Sequence, residues 1–166
     1  SDDEIICDIC GELAGMLRYA TNTKEKYATV REEIQYMERY LHLLKYRYDH
    51  KMEYSIHIEQ ELYEEILPKI VLQQIVENAV IHGYEKLQAR MEITVSGYKD
   101  DSGWYVKVHD SGAGISSDKQ KELEEAIISV RKKLTKDRSN VELEIGGMGI
   151  LNTYARLYLL YNEQLI

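Results

Sequence analysis

The hydrophobic periodicity of this chain changes near Lys51, and the change divides the sequence into two parts. Before Lys51, apolar residues recur at alternating intervals of four and three, which is typical of amphipathic helices that pack on other helices. A polar stretch at residues 21–26 separates two such stripes, which consist of Ile6, Cys10, Leu13, Leu17 and Ala20, and of Val30, Ile34, Met37, Leu41, Leu44 and Tyr48. Thr29 and Glu32 have the spacing of a capping box, which predicts that the second helix starts there. Residues 1–50 are therefore predicted to form a helical hairpin.

The spacing of the two stripes leaves their packing partner open. They could join the hairpin of a second copy of the chain in a four-helix bundle, or they could pack on the chain's own globular part. Because the stripes offer more apolar surface than they can cover between themselves, we expect the first arrangement, a homodimer formed through residues 2–49.

After Lys51 the period shortens to two residues, which indicates half-buried strands. Three segments alternate in this way, and their apolar residues are Met52, Tyr54, Ile56 and Ile58, then Met91, Ile93 and Val95, then Trp104, Val106 and Val108. Helices are predicted at residues 69–82, opened by Pro68, at residues 118–134, and after the glycines that end at Gly149. Residues 51–166 are therefore predicted to form an α/β sandwich, with helices on one face of a mixed or antiparallel sheet. Together with the helical hairpin, this makes an α+β chain.

Composition and charge exclude several classes of protein. The formal net charge of −8 argues against nucleic-acid binding, because an acidic surface repels phosphate backbones. No run of about 18 apolar residues occurs, so we expect membrane attachment only through segments outside this chain. Cys7 and Cys10 form a CxxC pair, but no second pair of ligands follows to complete a zinc site. We interpret them as reduced thiols of a cytosolic protein.

A line of polar residues marks the helix predicted at residues 69–82. Gln74, Asn78 and His82 follow one another at intervals of four, with Glu77 beside them. Asparagine is a poor helix former, but its side-chain oxygen can ligate a hard cation such as Mg²⁺, which also binds phosphate oxygens. An ordinary solvated helix face is the alternative, and the spacing alone favours it.

Two glycine motifs follow in the sequence. Residues 110–115, DSGAGI, come directly after the third predicted strand; Gly112 and Gly114 would let the backbone approach a flat ligand, and Asp110 could accept a hydrogen bond from an exocyclic amine. Residues 146–149, GGMG, precede a helix whose free N–H groups could receive phosphate. Each motif alone is weak, since loops that follow strands often contain aspartate and glycine.

Together these motifs resemble a known superfamily. LQQIVENAVIHG at residues 72–83 resembles the N-box of histidine kinases, DSGAGI the first glycine box, and GMGILNTYAR at residues 147–156 the second. Their order and separations are similar to those of the gyrase, histidine-kinase and MutL (GHKL) superfamily, which has a Bergerat-type ATP-binding fold. LAGMLRYA, TVREEI, YLHLLKYRYDHKM and LPKIVLQ further resemble the LytS-like sensor histidine kinases, so the resemblance covers nearly the whole chain.

The resemblance implies a role for each matching residue. Asn78 would ligate a Mg²⁺ ion that bridges the triphosphate of ATP, and Glu77 stands at the position proposed in the superfamily as a base or polariser. Asp110 would accept a hydrogen bond from the adenine amine, in a pocket shaped by Gly112 and Gly114. ATP and Mg²⁺ are thus the implied cofactors.

The second glycine box and the segment before it would bind the phosphates. Gly147 and Gly149 would let the end of a lid, residues 116–145, close on the phosphates, and Asn152 follows them in the matching helix. The lid is expected to be mobile. His82 stands at the usual N-box histidine, where it would support phosphate or Mg²⁺ binding and would not itself become phosphorylated.

The sequence departs from the family pattern at two places. The phosphoacceptor of the family lies in a Pro-His-Phe-type motif before the helix that contains LxxLLRY, and no such motif occurs here. We therefore expect no autophosphorylation from this chain alone. The family's domain also continues for two strands beyond the point that matches Ile166, so we expect the sandwich to lack its last two strands. Ile150 replaces the usual leucine of the second glycine box.

The resemblance predicts two regions and one function. Residues 1–50 would be a partial dimerisation segment, and residues 51–166 the ATP-binding catalytic domain of a two-component sensor histidine kinase. The domain would transfer the γ-phosphoryl group of ATP to a histidine on an upstream segment, for relay to a response regulator. It would form the cytoplasmic part of a membrane-anchored bacterial protein. The alternatives are another GHKL-type ATPase or serine kinase, or a dimerisation module that does not use nucleotide.

Overall fold

The computed structural model describes residues 2–22, 24–84, 90–136 and 149–165. Over these ranges the helices are α1 (Asp2–Thr21), α2 (Val30–Tyr48), α3 (Val71–Tyr84), α4 (Ser117–Lys136) and α5 (Gly149–Tyr161). The strands are β1 (Tyr27–Thr29), β2 (Met52–Ile58), β3 (Ile66–Pro68), β4 (Met91–Asp100) and β5 (Gly103–Asp110). Within the described ranges, no helix is both long and apolar enough to cross a lipid bilayer. The predicted α+β class, with a helical hairpin at the N-terminus, is confirmed.

The start of α2 is fixed by the predicted capping box. The Thr29 hydroxyl accepts a hydrogen bond from the Glu32 amide at 3.2 Å, and the Glu32 carboxylate accepts one from the Thr29 amide at 2.8 Å. Two backbone N–H groups that have no partner within the helix are thereby satisfied. This prediction succeeded because every atom involved lies within four residues of sequence.

The two helices of the hairpin bury very different amounts of their apolar surface. Val30, Ile34, Met37 and Leu41 of α2 are buried in one core together with Met52 of β2, with α3 and with β4. No residue of α1 in the described part is buried, and Leu13 and Leu17 are 47% and 63% exposed. The stripe of α2 thus packs on the chain's own globular part, which is the alternative to the expected bundle, while the stripe of α1 remains exposed.

The three long strands form a mixed sheet in the order β2-β4-β5. β2 is parallel to β4, with Met52 opposite Met91, and β4 is antiparallel to β5, with Asp100 opposite Gly103 across the hairpin turn. β1 and β3 make a separate antiparallel pair, in which Tyr27 lies opposite Pro68. This arrangement brings the C-terminal end of β5, at Asp110, next to the first half of β4.

The start of α3 differs from the prediction. Pro68 was expected to open a helix at residue 69, but it ends strand β3, and the helix begins at Val71. Ile70, between them, has a φ of +66°, in the left-handed region that β-branched residues rarely adopt. Pairing with β1 overrides the local preference of proline for the first turn of a helix.

The segment expected to be a mobile lid forms a helix where the structure describes it. Val130 and Leu134 of α4 pack with Leu151, Ala155 and Tyr158 of α5 in a second, smaller hydrophobic cluster. The rest of the predicted lid, residues 137–145, lies outside the described residues. Because α5 also contacts α3, the two clusters join at the helix that carries the predicted N-box.

Candidate functional site

The end of α3 and the loop after β5 approach each other so closely that the loop needs glycine at the contact. A Cβ atom added at Gly112 would lie 2.6 Å from the Cα of Gly83 and 2.8 Å from its carbonyl oxygen. The Ala113 amide donates a hydrogen bond to that same carbonyl at 3.2 Å. The predicted N-box and the predicted first glycine box are therefore in direct backbone contact.

Asp110 holds this loop in place. Its Oδ1 accepts a hydrogen bond from the Gly112 amide at 2.8 Å, and a Cβ at Gly83 would lie 3.0 Å from the same oxygen. The carboxylate is half-buried at the C-terminal end of β5, beside the last turn of α3. The next glycine, Gly114, has a φ of +71° with no atom within 4 Å of an added Cβ, so its role is conformational.

Asn78 lies where α3 meets the first residue of α5. A Cβ at Gly149 would lie 3.4 Å from the Asn78 Oδ1 atom and 3.5 Å from its Nδ2 atom. Nδ2 is buried and makes no hydrogen bond to any of the described residues. Buried polar atoms are almost always paired, so Nδ2, or Oδ1 after a 180° rotation of the amide, is available for a partner from outside these ranges.

The predicted polar line on α3 faces α5 over part of its length. Gln74 Oε1 accepts a hydrogen bond from the Thr153 hydroxyl at 2.9 Å, one turn before Asn78, and His82 is exposed one turn after it. The face is therefore partly covered at Gln74 and Asn78, whereas it is solvated, as the spacing alone favoured, at His82. Asn152 lies half-buried on α5, next to Thr153.

Glu77 is half-buried and lies within electrostatic range of α2. Burial and then the negative charge of Glu77 raise the pKa of Tyr40 to about 12. Burial also raises the pKa of Tyr36, with smaller contributions from the charges of Glu33 and Glu77. Glu77 and Asn78 are adjacent in the sequence but face different elements: Glu77 lies near α2, and Asn78 lies beside the start of α5.

Gly147 lies outside the described residues, so its predicted part in phosphate binding has no structural description. Of the other predicted site residues, Asn78 and Gly149 are brought together, and Asp110 and Gly112 lie against Gly83. Among the described residues there is no group of three or more His, Cys, Asp or Glu side chains that could hold a metal. A Mg²⁺ ion at Asn78 would therefore take most of its ligands from phosphate and water, as this ion often does.

Sequence reasoning missed two residues that position the site. Arg156, within the predicted second glycine box, donates a hydrogen bond to the Lys69 carbonyl at 2.6 Å and ties α5 to the segment before α3. Glu33 is fully buried and accepts hydrogen bonds from the amides of Ile70 and Leu72. One signal could have revealed Glu33: it is a charged residue between Val30 and Met37, on the apolar stripe of α2.

The known proteins that this chain resembles include sensor kinases. The family described as "Histidine kinase" matches residues 1–52, which include the hairpin and end before the candidate site. The sensor protein LytS of Bacillus cereus is 32% identical over 101 residues, 61% of this chain and 17% of that protein. LytS of Bacillus subtilis is 36% identical over 92 residues, 55% of this chain and 16% of that protein.

A third relative has a different name. The sensor protein kinase HptS of Staphylococcus aureus is 30% identical over 106 residues, 64% of this chain and 20% of that protein. The aligned part of the chain thus spans a fifth or less of the length of these relatives. The resemblance drawn from the sequence is confirmed: over part of its length, the chain is similar to sensor histidine kinases named LytS and HptS.

Proposed function

We propose that this chain is the ATP-binding catalytic region of a two-component sensor histidine kinase. The observation that carries the proposal is the buried side-chain amide of Asn78 on α3. Its Nδ2 atom has no partner among the described residues, and the amide lies beside Gly149, the first residue of α5. A polar atom in that position is expected to be paired. Nδ2 would donate to a phosphate oxygen, or, after a 180° rotation of the amide, Oδ1 would ligate a phosphate-bound Mg²⁺ ion.

The adenine end of the nucleotide binds at Asp110. Its Oδ1 is held by the Gly112 amide, and Oδ2 accepts a hydrogen bond from the exocyclic amine of adenine. Gly112 keeps side chains away from the ring, and Gly114 supplies the positive φ with which the loop turns around this pocket. The close contact between Gly83 and Gly112 supports this role, because it fixes the loop against α3 before any ligand binds.

The phosphate end binds between Asn78 and the N-terminus of α5. Free N–H groups at a helix N-terminus favour anions, and Gly149 presents the first of these without a side chain. Asn152 and His82 support the phosphates from the neighbouring turns of α5 and α3, and Gly147 of the second glycine box would also bind them. Bound Mg²⁺ would neutralise charge on the transferred phosphoryl group, and Asn78 would be its ligand from this chain.

The reaction is transfer of the γ-phosphoryl group to a ring nitrogen of a histidine on an upstream segment. The bond from the γ-phosphorus to the bridging oxygen breaks, a phosphorus–nitrogen bond forms, and ADP leaves. Glu77 polarises the acceptor imidazole from the side of α3 that faces α2. The phosphoryl group then passes to a response regulator, and the full protein is the membrane-anchored, homodimeric kinase of a bacterium.

A dimerisation module that does not use nucleotide is the second candidate. The family match at residues 1–52 and the exposed stripe of α1 favour it, since both concern the hairpin rather than the candidate nucleotide site. Another GHKL-type ATPase or serine kinase is disfavoured by the similarity to LytS and HptS.

Equilibrium binding of a fluorescent ATP analogue separates the two candidates. We expect saturable binding that unlabelled ATP displaces and that Mg²⁺ strengthens, whereas a nucleotide-independent module would show neither effect. Asp101→Ala is a matched control for Asp110→Ala, because it removes the same charge at the exposed turn of the β4–β5 hairpin. Equal binding by the two variants would contradict the assignment of the adenine site.

A further inference from the structure

Glu33 is a carboxylate that is completely buried, with 0% of its surface exposed. Burial of a charged group is costly unless hydrogen bonds replace those lost with water, and three donors hydrogen-bond to the Glu33 carboxylate. Its Oε1 accepts from the Ile70 amide at 2.6 Å and from the Tyr19 hydroxyl at 2.7 Å, and its Oε2 accepts from the Leu72 amide at 3.1 Å. The donors come from two parts of the chain that are about 50 residues apart in the sequence.

Two of the three donors are backbone amides at the start of α3. Amides at a helix N-terminus have no partner within the helix and favour a negative charge, so Glu33 caps α3 from a different element. One of these amides belongs to Ile70, whose φ of +66° is unfavourable for a β-branched residue. The bond to Glu33 therefore holds a strained turn and fixes the point at which α3 begins.

The third donor comes from α1. The centroids of the Tyr19 and Tyr36 rings are 4.6 Å apart, and the Lys69 ammonium lies 4.3 Å from the centroid of the Tyr19 ring. The same ammonium donates hydrogen bonds at 3.2 Å to the carbonyls of Tyr19 and Asn22. The last turn of α1 and the start of α3 thus meet in one junction cluster, consisting of Tyr19, Glu33, Tyr36, Lys69 and Ile70.

The rest of α1 is held less firmly. None of its described residues is buried, and its other bonds to α2 include Arg39 to Glu12 at 2.7 Å and Tyr46 to Asp8 at 2.5 Å, both exposed. Exposed polar contacts contribute little to stability, so α1 can shift on α2 at modest cost, whereas the junction cluster ties its end to α3.

We propose that Glu33 is a positioning residue for the nucleotide-site helix and that Tyr19 transmits the position of α1 to it. A displacement of α1 along or around α2 breaks or strains the bond from Tyr19 to Glu33 and moves the capped start of α3. Asn78 lies two turns farther along the same rigid helix, so its amide moves relative to Gly149 at the start of α5. The consequence for nucleotide affinity rests on the function proposed above; the positioning itself does not.

Three variants test this link. Tyr19→Phe removes only the hydroxyl that connects α1 to Glu33, and Glu33→Gln keeps the size of the side chain but places an amide donor against a backbone N–H. Tyr46→Phe is the matched control, since it removes a tyrosine–carboxylate bond between the same two helices away from α3. The readouts are the NMR chemical shifts of the Asn78 side-chain amide in the nucleotide-free chain and the dissociation constant for Mg-ATP.

We expect Tyr19→Phe and Glu33→Gln to shift the Asn78 amide resonance and to weaken Mg-ATP binding by about 2- to 30-fold, and Tyr46→Phe to do neither. A merely structural role of Tyr19 would lower the melting temperature and leave the Asn78 resonance of the folded chain in place, which would overturn the proposal. An equal shift in Tyr46→Phe would overturn it too. Tyr19→Phe suffices if Glu33→Gln fails to fold. If the unsubstituted chain binds no Mg-ATP but the Asn78 resonance still responds to Tyr19→Phe alone, the proposed function fails and the positioning role stands.

Discussion

At the scale of single residues, Asp110 and Asn78 lie at two different contacts, with Gly112 and with Gly149, and under the proposed function they recognise different parts of one nucleotide. Asp110 is attached to a loop that is already hydrogen-bonded, through Gly112 and Ala113, to the rest of the site. Asn78 is attached to a helix, and its amide faces the first residue of α5. The roles of Asp110 and Asn78 can therefore be distinguished by comparing adenosine, which carries only the adenine part, with ATP, which also carries the phosphates.

Asp110→Ala should lower the affinity for adenosine, ADP and ATP by the same factor. Loss of a hydrogen bond to a charged group corresponds to about 1.5–3 kcal/mol, or about 10- to 150-fold in the dissociation constant. The loss should not depend on Mg²⁺, because the metal binds at the other end of the nucleotide. Calorimetric titrations of the three ligands, with Asp101→Ala as the charge-matched control, measure it. A loss confined to ATP would contradict an adenine contact.

Asn78→Ala should leave adenosine binding unchanged and should abolish the increase in ATP affinity that Mg²⁺ gives. The side-chain amide is the ligand that this chain would provide to the metal, and alanine provides none. Gln74→Ala serves as the control, since Gln74 lies one turn earlier on α3 and its amide is already bonded to Thr153. Titrations of ATP with and without Mg²⁺ decide the question. Equal losses for adenosine and Mg-ATP would mean that Asn78 is only structural.

At the scale of elements, the fold was predictable where the partners are close in sequence. The capping box of Thr29 and Glu32 was predicted, because its hydrogen bonds are local. The start of α3 was not, since its cap is Glu33, which lies 37 residues before Ile70. Likewise, the contact of Gly83 with Gly112 could not be derived from either motif alone. Periodicity indicates that a face is buried, but it does not indicate what covers that face.

The two apolar stripes of the hairpin should therefore respond differently to truncation. Leu41 of α2 is completely buried in the core, so Leu41→Ala should lower the free energy of unfolding by about 2–5 kcal/mol. Leu17 of α1 is mostly exposed, and Leu17→Ala should change the unfolding free energy of the monomer by less than about 0.5 kcal/mol. Urea unfolding at low protein concentration compares the two variants. Similar losses would mean that α1 packs on the chain more extensively than its exposure indicates.

At the scale of the whole molecule, the exposed stripe of α1 is the surface through which we expect a second copy of the chain to bind. It contains Ile6, Leu13 and Leu17, which are 57%, 47% and 63% exposed, and it lies on a helix with no buried residue in the described part. The family match covers the same hairpin. Because the stripe of α2 is used in the chain's own core, self-association would depend on α1 rather than on both helices.

Sedimentation equilibrium should accordingly show a homodimer whose population rises with concentration. The double substitution Leu13→Glu and Leu17→Glu should make the chain monomeric, because burial of two carboxylates in an apolar interface is unfavourable without partners. It should leave the melting temperature of the monomer nearly unchanged, since neither side chain is buried in the chain itself. Ile128→Glu is the matched control: Ile128 is an isoleucine of α4 that is 53% exposed, and its substitution should leave the dimer intact. A monomer at high micromolar concentration, or a dimer that survives the double substitution, would show that the α1 stripe is not the interface.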